Sequence, residues 1–326
     1  MSRGALESGN VIIRPALRTF FGAPACEDLS KLNAQIAFVG VPWDQGTIIP
    51  MIRSGAYAGP RLIREARTRL RDTKADGTSA GWFDIESERH ELAGIRMADV
   101  GDVLVAGGDV GLSHERITTV THQMAEKGAL VVAVGGDHSV SFPVGRGVAE
   151  VRESIDVVHI DAHPDFADQI FGSKFSHGSQ LRRLYELIGV EQISALGLRS
   201  AVADQYADMK RLGVGFASTR TVLEEGPTAT IERLVRPGKD VYVSIDIDVL
   251  EGALVPATTL PEPGGLAYRQ LRELLEAIAR RGRIVGFDIV ETSAAQNDLA
   301  TAMTSAWLVV HFLSAIFADQ GKPAAS

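Results

Sequence analysis

IDVVHIDAHPD, Ile155 to Asp165, is an apolar run that ends in two aspartates flanking a histidine. A short apolar run bounded by turn residues reads as a buried strand, and strands buried on both faces belong to parallel sheets covered by helices. In a strand, the period of two places Asp161 and His163 on one face and Val158, Ile160 and Ala162 on the other. Such a D-x-H-x-D string has two readings. The side chains satisfy loop backbone groups, or they hold a metal. The ligands that the rest of the chain adds decide between them.

Working outward, ALVVAVGGDHS (Ala129–Ser139) is a second apolar run, ending in Asp137 and His138. VYVSIDIDV (Val241–Val249) is a third, with Asp246 and Asp248 at strand spacing on one face. RIVGFDIVE (Arg283–Glu291) carries Asp288 and Glu291 toward its end, and IAFVGV (36–41) and ISALGLRS (193–200) read as further strands. Between them lie helical patterns: one starting near Pro60, one capped by Ser113, LRRLYELIG, VADQYADMKRLG closed by Gly213, TATIERLVRPG, LAYRQLRELLEAIARR, and a C-terminal helix through Trp307. Residues 72–98 are polar and read as loop with a short strand. His114 and His122 lack nearby carboxylates in a ligand pattern and read as solvated or capping residues. Strands alternating with helices predict an α/β class with a mostly parallel sheet covered on both faces. No internal repeat or low-complexity linker divides the chain, so the expected organisation is an N-terminal arm over 1–33 and one α/β domain over 34–326.

Composition narrows the function classes. The chain has 326 residues, 45% hydrophobic and 23% charged, enough to bury a large core. Its formal net charge is -8, from 41 acidic and 33 basic residues, with no basic stripe of the kind that tracks phosphates, so nucleic acid is not an expected partner. The single cysteine, Cys26, rules out an intramolecular disulfide and a Cys-rich zinc module and points to a reducing, cytoplasmic setting. The N-terminus lacks the apolar stretch of a signal peptide, and AWLVVHFLSAIFA (Ala306–Ala318) is short for a bilayer and interrupted by His311 and Ser314. It reads as a buried helix, and no membrane partner is expected.

Three strand ends thus present His138, Asp161, His163, Asp165, Asp246 and Asp248. Carboxyl ends of parallel strands line the ligand crevice of open α/β sheets, so the three loops can converge. Four buried carboxylates without a positive charge are expensive unless a cation neutralises them. Carboxylate-rich, thiol-free ligation favours two hard or borderline divalent ions, Mn2+ first, with Ni2+ or Co2+ possible. A pair of such ions lowers the pKa of a shared water.

These blocks, from IAFVGVPWDQGT through GPRLIREA, VGGDHS, DAHPD, SHGS and SIDID to GFDIVE, resemble the ureohydrolase family of arginases, agmatinases and related guanidino-compound hydrolases. The resemblance implies a three-layer α/β/α fold with a sheet of about eight strands and assembly into homotrimers or homohexamers. It implies that His138, Asp161, Asp165 and Asp246 hold one ion and His163, Asp161, Asp246 and Asp248 the other. His177, in FSHGS, matches the family's proton-relaying histidine, and Glu291 the carboxylate that clamps the guanidinium. Asp165 is then placed to pass a proton to the departing amine. The expected reaction is hydrolysis of a small cationic guanidino compound to urea and an amine.

The chain also departs from the family pattern. LEGALVPATTLPEPGG (250–265) carries Glu251 and Gly252 where Asp-Pro is usual, and Ala257, Thr259 and Leu260 where Gly, Gly and Thr are usual. TSA follows Glu291, and the first loop adds Ile48, Ile49 and Met51 near the expected pocket mouth. Intact ligands with altered substrate-facing loops predict the same chemistry on an altered substrate: agmatine, a shorter or N-substituted guanidine, or a guanidino acid with Arg53 or Arg199 as anion partner. Formimidoyl hydrolysis releasing formamide is the alternative enzyme reading. A non-catalytic subunit of a mixed oligomer is the other, and its expected signature, lost metal ligands, is missing.

Overall fold

The computed structural model describes residues 12–50, 52, 54–189, 192–294 and 299–318. The strands are β1 (Ile13–Arg14), β2 (Ile36–Gly40), β3 (Trp82–Asp84), β4 (Arg89–Glu91), β5 (Met97–Val103), β6 (Leu130–Val134), β7 (Asp156–Ile160), β8 (Ile193–Leu198), β9 (Gly215–Ser218), β10 (Asp240–Asp246) and β11 (Arg283–Val290). The α-helices are α1 (Gly59–Glu65), α2 (Val110–Glu126), α3 (Ser141–Ala149), α4 (Gln180–Ile188), α5 (Ala203–Leu212), α6 (Thr219–Glu225), α7 (Pro227–Leu234), α8 (Tyr268–Arg281) and α9 (Leu299–Ile316).

Nine strands form one sheet in the order β1-β5-β2-β6-β11-β10-β7-β8-β9. Eight of them run parallel, and the two-residue edge strand β1 pairs antiparallel with β5. The expected parallel sheet of about eight strands is therefore present, with β3 and β4 forming a separate hairpin.

Alternation along each strand divides the core in two. Ile36, Phe38, Val132, Val134, Val158, Ile160, Val243 and Ile245 face one layer, where they meet side chains of α8 and α9. Ala37, Val39, Val131, Ala133 and Val157 face the other, against α2, α3 and α4. Strands apolar on both faces require this double cover, which produces the three layers.

Three local readings change. Asp109, not Ser113, caps α2: its carboxylate accepts from the Leu112 N–H at 2.9 Å, while the Ser113 hydroxyl donates to Ala106 O. β5, MADVGDV, escapes sequence reading because Asp99 and Asp102 interrupt its apolar pattern, yet every residue in it is buried. Both aspartates are neutralised by Arg64, whose Nε and Nη2 meet the Asp99 carboxylate at 3.0 Å. His114 is buried between Phe142 and Phe175 rather than solvated, and burial lowers its pKa to about 4.

α9 is long and apolar enough to cross a membrane by length and composition alone. Here it buries Ala306, Val309, Val310, Phe312 and Leu313 in the core and packs on α8 and α1.

Candidate metal centre and substrate cavity

The four central neighbours β6, β11, β10 and β7 end at the same edge of the sheet. His138 follows β6, Glu291 follows β11, Asp246 closes β10, and Asp161 to Asp165 follow β7. Parallel adjacency thus brings together residues more than a hundred positions apart in the chain.

The strands stop earlier than the alternating pattern implies. β7 ends at Ile160 and β10 at Asp246, so His163 and Asp248 do not share a strand face with Asp161 and Asp246. A turn unites each pair instead. Asp161 Oδ1 accepts the His163 N–H at 2.6 Å, and Asp246 Oδ1 accepts the Asp248 N–H at 2.9 Å. Asp137 does the same for Ser139 after β6, at 3.1 Å. An aspartate accepting from the amide two residues on is the turn that its short side chain favours. A further bond, Ala162 N–H to Asp248 Oδ1 at 3.1 Å, locks two of the turns together.

The resulting cluster brings the expected ligand residues close together. His138 Nδ1 lies 2.9 Å from Asp161 Oδ2, 3.1 Å from Asp165 Oδ2 and 3.2 Å from Asp246 Oδ2. His163 Nδ1 lies 3.4 Å from Asp161 Oδ1 and 3.0 Å from Asp248 Oδ2. Asp161 therefore faces both groups, with one oxygen each.

The donor set fits cations. His138 Nε2 sits 2.9 Å from Ser244 Oγ, whose own hydroxyl proton goes to Asp288 Oδ1. Nε2 is thus engaged on the side away from the cluster, and Nδ1 is the nitrogen turned to the carboxylates. Nδ1 looks at three carboxylate oxygens, and neither Nδ1 nor Asp161 Oδ2 has an aligned hydrogen bond. Burial, then the charges of Asp248 and Asp161, push the Asp246 carboxyl well above its ordinary range, and burial and Asp161 push Asp248 up to about 6. A cation at the shared focus removes this repulsion.

His159 was not among the expected residues. It is fully buried, stacks on His138 with ring centroids 5.0 Å apart, and brings Nε2 within 3.2 Å of Asp161 Oδ2. With His138 and Asp161 it forms one of two groupings able to hold a metal among the described residues, the other being Asp161, His163 and Asp248. Its signal was present in the sequence, two residues before Asp161 on the same strand face. The Gln180 amide nitrogen, 3.1 Å from both His138 Nε2 and His159 Nδ1, comes from α4 and carried no such signal.

Glu291 and His177 border the same cavity. Glu291 stands at φ 63 and Asp165 at φ 44, left-handed conformations that cost a non-glycine residue on the order of 1–3 kcal/mol. Glu291 Oε1 accepts the His138 backbone N–H at 2.8 Å, and Oε2 accepts the Thr259 hydroxyl. The Thr259 oxygen lies 3.0 Å from Ser54 Oγ, so the two hydroxyls form a chain ending on the carboxylate. Burial and the nearby Asp137 charge raise the Glu291 pKa to about 7. His177 N–H and Nδ1 both lie 3.0 Å from Gly46 O, so Nδ1–H donates there and Nε2 is the free nitrogen. Burial works against its protonation, but Asp165 and Glu291 raise its pKa overall.

Arg199 is not an anion partner. Its guanidinium donates to the carbonyls of Asp248, Val249, Leu250, Glu262 and Pro263 at 2.6–3.3 Å, tying the departing loop to the second ligand turn. Arg53 and Met51 lie outside the described residues. Glu251 Oε2 closes the loop by accepting the Gly264 and Gly265 N–H groups at 2.8 and 3.0 Å.

The Arginase family model matches residues 34–314. The chain belongs to this family. It is 33% identical over 304 residues, 90% of each chain, to the guanidinopropionase of Pseudomonas aeruginosa. It is 31% identical to the agmatinase of Pyrococcus horikoshii over 86% of this chain and 92% of the relative. Proclavaminate amidino hydrolase from Streptomyces clavuligerus superposes with a TM-score of 0.78 at 26% identity, covering 92% of this chain and 97% of that one. As an arginase-family ureohydrolase, the protein is a metal-dependent hydrolase acting on amidino C–N bonds.

Proposed function

We propose that the chain hydrolyses a small guanidino compound to urea and an amine. His138, Asp161, Asp165 and Asp246 hold one divalent ion and His163, Asp161, Asp246 and Asp248 the other, with Mn2+ first and Ni2+ or Co2+ as substitutes. The carrying observation is the sharing of Asp161: one oxygen faces His138 at 2.9 Å, the other His163 at 3.4 Å. Bound there, two ions supply a Lewis-acidic centre that lowers the pKa of water to near neutrality.

The chain's own residues do the rest. Glu291, held on both oxygens by protein donors, presents a carboxyl group fixed in place that orients the guanidinium, whose positive charge favours the ionised form of Glu291. Asp165 passes a proton to the leaving amine. His177 exchanges protons with solvent through Nε2, because Nδ1–H is committed to Gly46 O.

In the same reading the protein works in the cytoplasm as a homotrimer or homohexamer, which light scattering on the purified chain tests. Urea release from a panel of guanidino compounds, with Mn2+ and Ni2+ loaded separately, tests the activity. Formamide release from a formimidoyl compound in place of urea would overturn it.

A further inference from the structure

Resting on that reading of the site, we propose that the cavity selects a guanidinium compound with a short, uncharged substituent, an N-alkylguanidine of a few carbons. Compounds whose chain ends in an ammonium or a carboxylate are selected against.

The cavity measures about 280 Å³, small for a ligand site. Its charges lie at one end. Among the described lining residues, every titratable side chain belongs to the metal-facing cluster, Glu291 or His177. The remaining wall is Ile49, Pro164, Ile170, Val202 and Leu260, with neutral Ser200, Gln205 and Thr259 between them. Once the guanidinium reaches Glu291, its substituent projects along this wall.

Among the described lining residues, a terminal ammonium meets no carboxylate outside the metal-facing cluster and Glu291. Glu262, the acidic group next to the ligand turn, faces His163 Nε2 at 3.4 Å. Among the same residues a terminal carboxylate meets no guanidinium or ammonium, and Arg199 is turned to loop carbonyls. The Gln205 side-chain oxygen accepts from the Phe166 N–H at 3.2 Å, which leaves only a neutral amide donor. Desolvating a charge without a partner is strongly unfavourable, whereas burying a methylene is favourable. Leu260, standing where the family pattern carries threonine, adds an isobutyl group to this wall.

The test measures kcat/KM for urea release by the metal-loaded chain with methyl-, ethyl- and propylguanidine against agmatine and guanidinopropionate, alongside calorimetric Kd values for the same compounds. Neutral-tailed compounds are expected to exceed charged-tailed ones by at least about tenfold in both quantities. A higher kcat/KM for agmatine or guanidinopropionate overturns the inference and leaves the ureohydrolase reading standing. Urea from none of the compounds, with either metal, removes that reading and the inference with it. Leu260→Glu supplies the missing counter-charge and is expected to shift the agmatine-to-propylguanidine ratio toward agmatine at least about tenfold. An unchanged ratio, with both activities falling together, assigns Leu260 a packing role and overturns its part in selection.

Discussion

The turns carrying His138, Asp161 and Asp246 and the loop from Leu250 to Gly265 meet at one cavity, yet different interactions hold them. The turns are braced by aspartates accepting from amides two residues on, and they sit at the ends of three of four neighbouring parallel strands. Their geometry is inherited from the sheet. The loop has no strand beneath most of it; beside a few backbone bonds, such as Ser293 N–H to Ala257 O at 2.8 Å, side chains fasten it: Arg199 on its carbonyls, Glu251 on its glycine amides, and Thr259 on Glu291. A floor built on the sheet tolerates little change, whereas a rim fastened by a few side chains can be refastened. One of the departures from the family pattern, over 250–265, falls in this rim.

Removing the bridge breaks the floor. Asp161→Ala takes one oxygen from each ligand group, so metal content and urea release are expected to fall together to background, checked by elemental analysis and assay on one preparation. Full activity in a metal-free preparation of this variant would sink the two-ion account.

Glu291→Gln separates the floor from substrate recognition. Metal content is expected to stay at the parent level while kcat/KM drops roughly 10²–10³-fold, the range for losing a preorganised charge at a reacting centre. Loss of metal in this variant would instead make Glu291 a brace of the His138 loop, through its 2.8 Å bond to the His138 N–H.

Thr259→Gly touches only the rim. It removes one hydroxyl bond to a carboxylate, worth about 1.5 kcal/mol or roughly tenfold in kcat/KM, with metal content unchanged. Thr259→Ser is expected to recover most of the loss, and a glycine variant as active as the parent would show that the rim does not position Glu291.

The smallest effect belongs to neither region. His114 has a pKa of about 4 in the folded chain against 6.5 when exposed. A histidine with a lowered folded pKa contributes stability that is complete above the unfolded value and is lost as pH falls from about 6.5 toward 4. By pH 5.5 the loss is about 1 kcal/mol. His114→Phe is expected to flatten the thermal midpoint between pH 7 and 5.5 with metal kept constant. An unchanged pH slope would assign the acid sensitivity to the carboxylate cluster.

Much of this was legible in the residue order. Largely apolar runs, such as LVVAV and DVVHI, read as strands covered on both faces, and the candidate ligands stood within a few residues after them. β5 was illegible because Asp99 and Asp102 look like loop residues until Arg64, 35 positions away from Asp99, arrives to neutralise them. His159 was visible but unread, since a histidine inside an apolar run is more often a core residue than part of a site. Arg199 was legible as a cation but not as a loop fastener, because five carbonyls gather around it only when two distant turns fold together.

By itself, then, the sequence determined the α/β class and six candidate ligands, because strand periodicity and the placement of acids at strand ends are local properties of the chain. The tertiary structure alone decided which Asp161 oxygen faces which histidine, that Thr259 and Ser54 reach Glu291, and that the described cavity wall beyond the charges is neutral. Those features depend on which oxygen of a side chain points where, and only the packing of distant segments sets that direction.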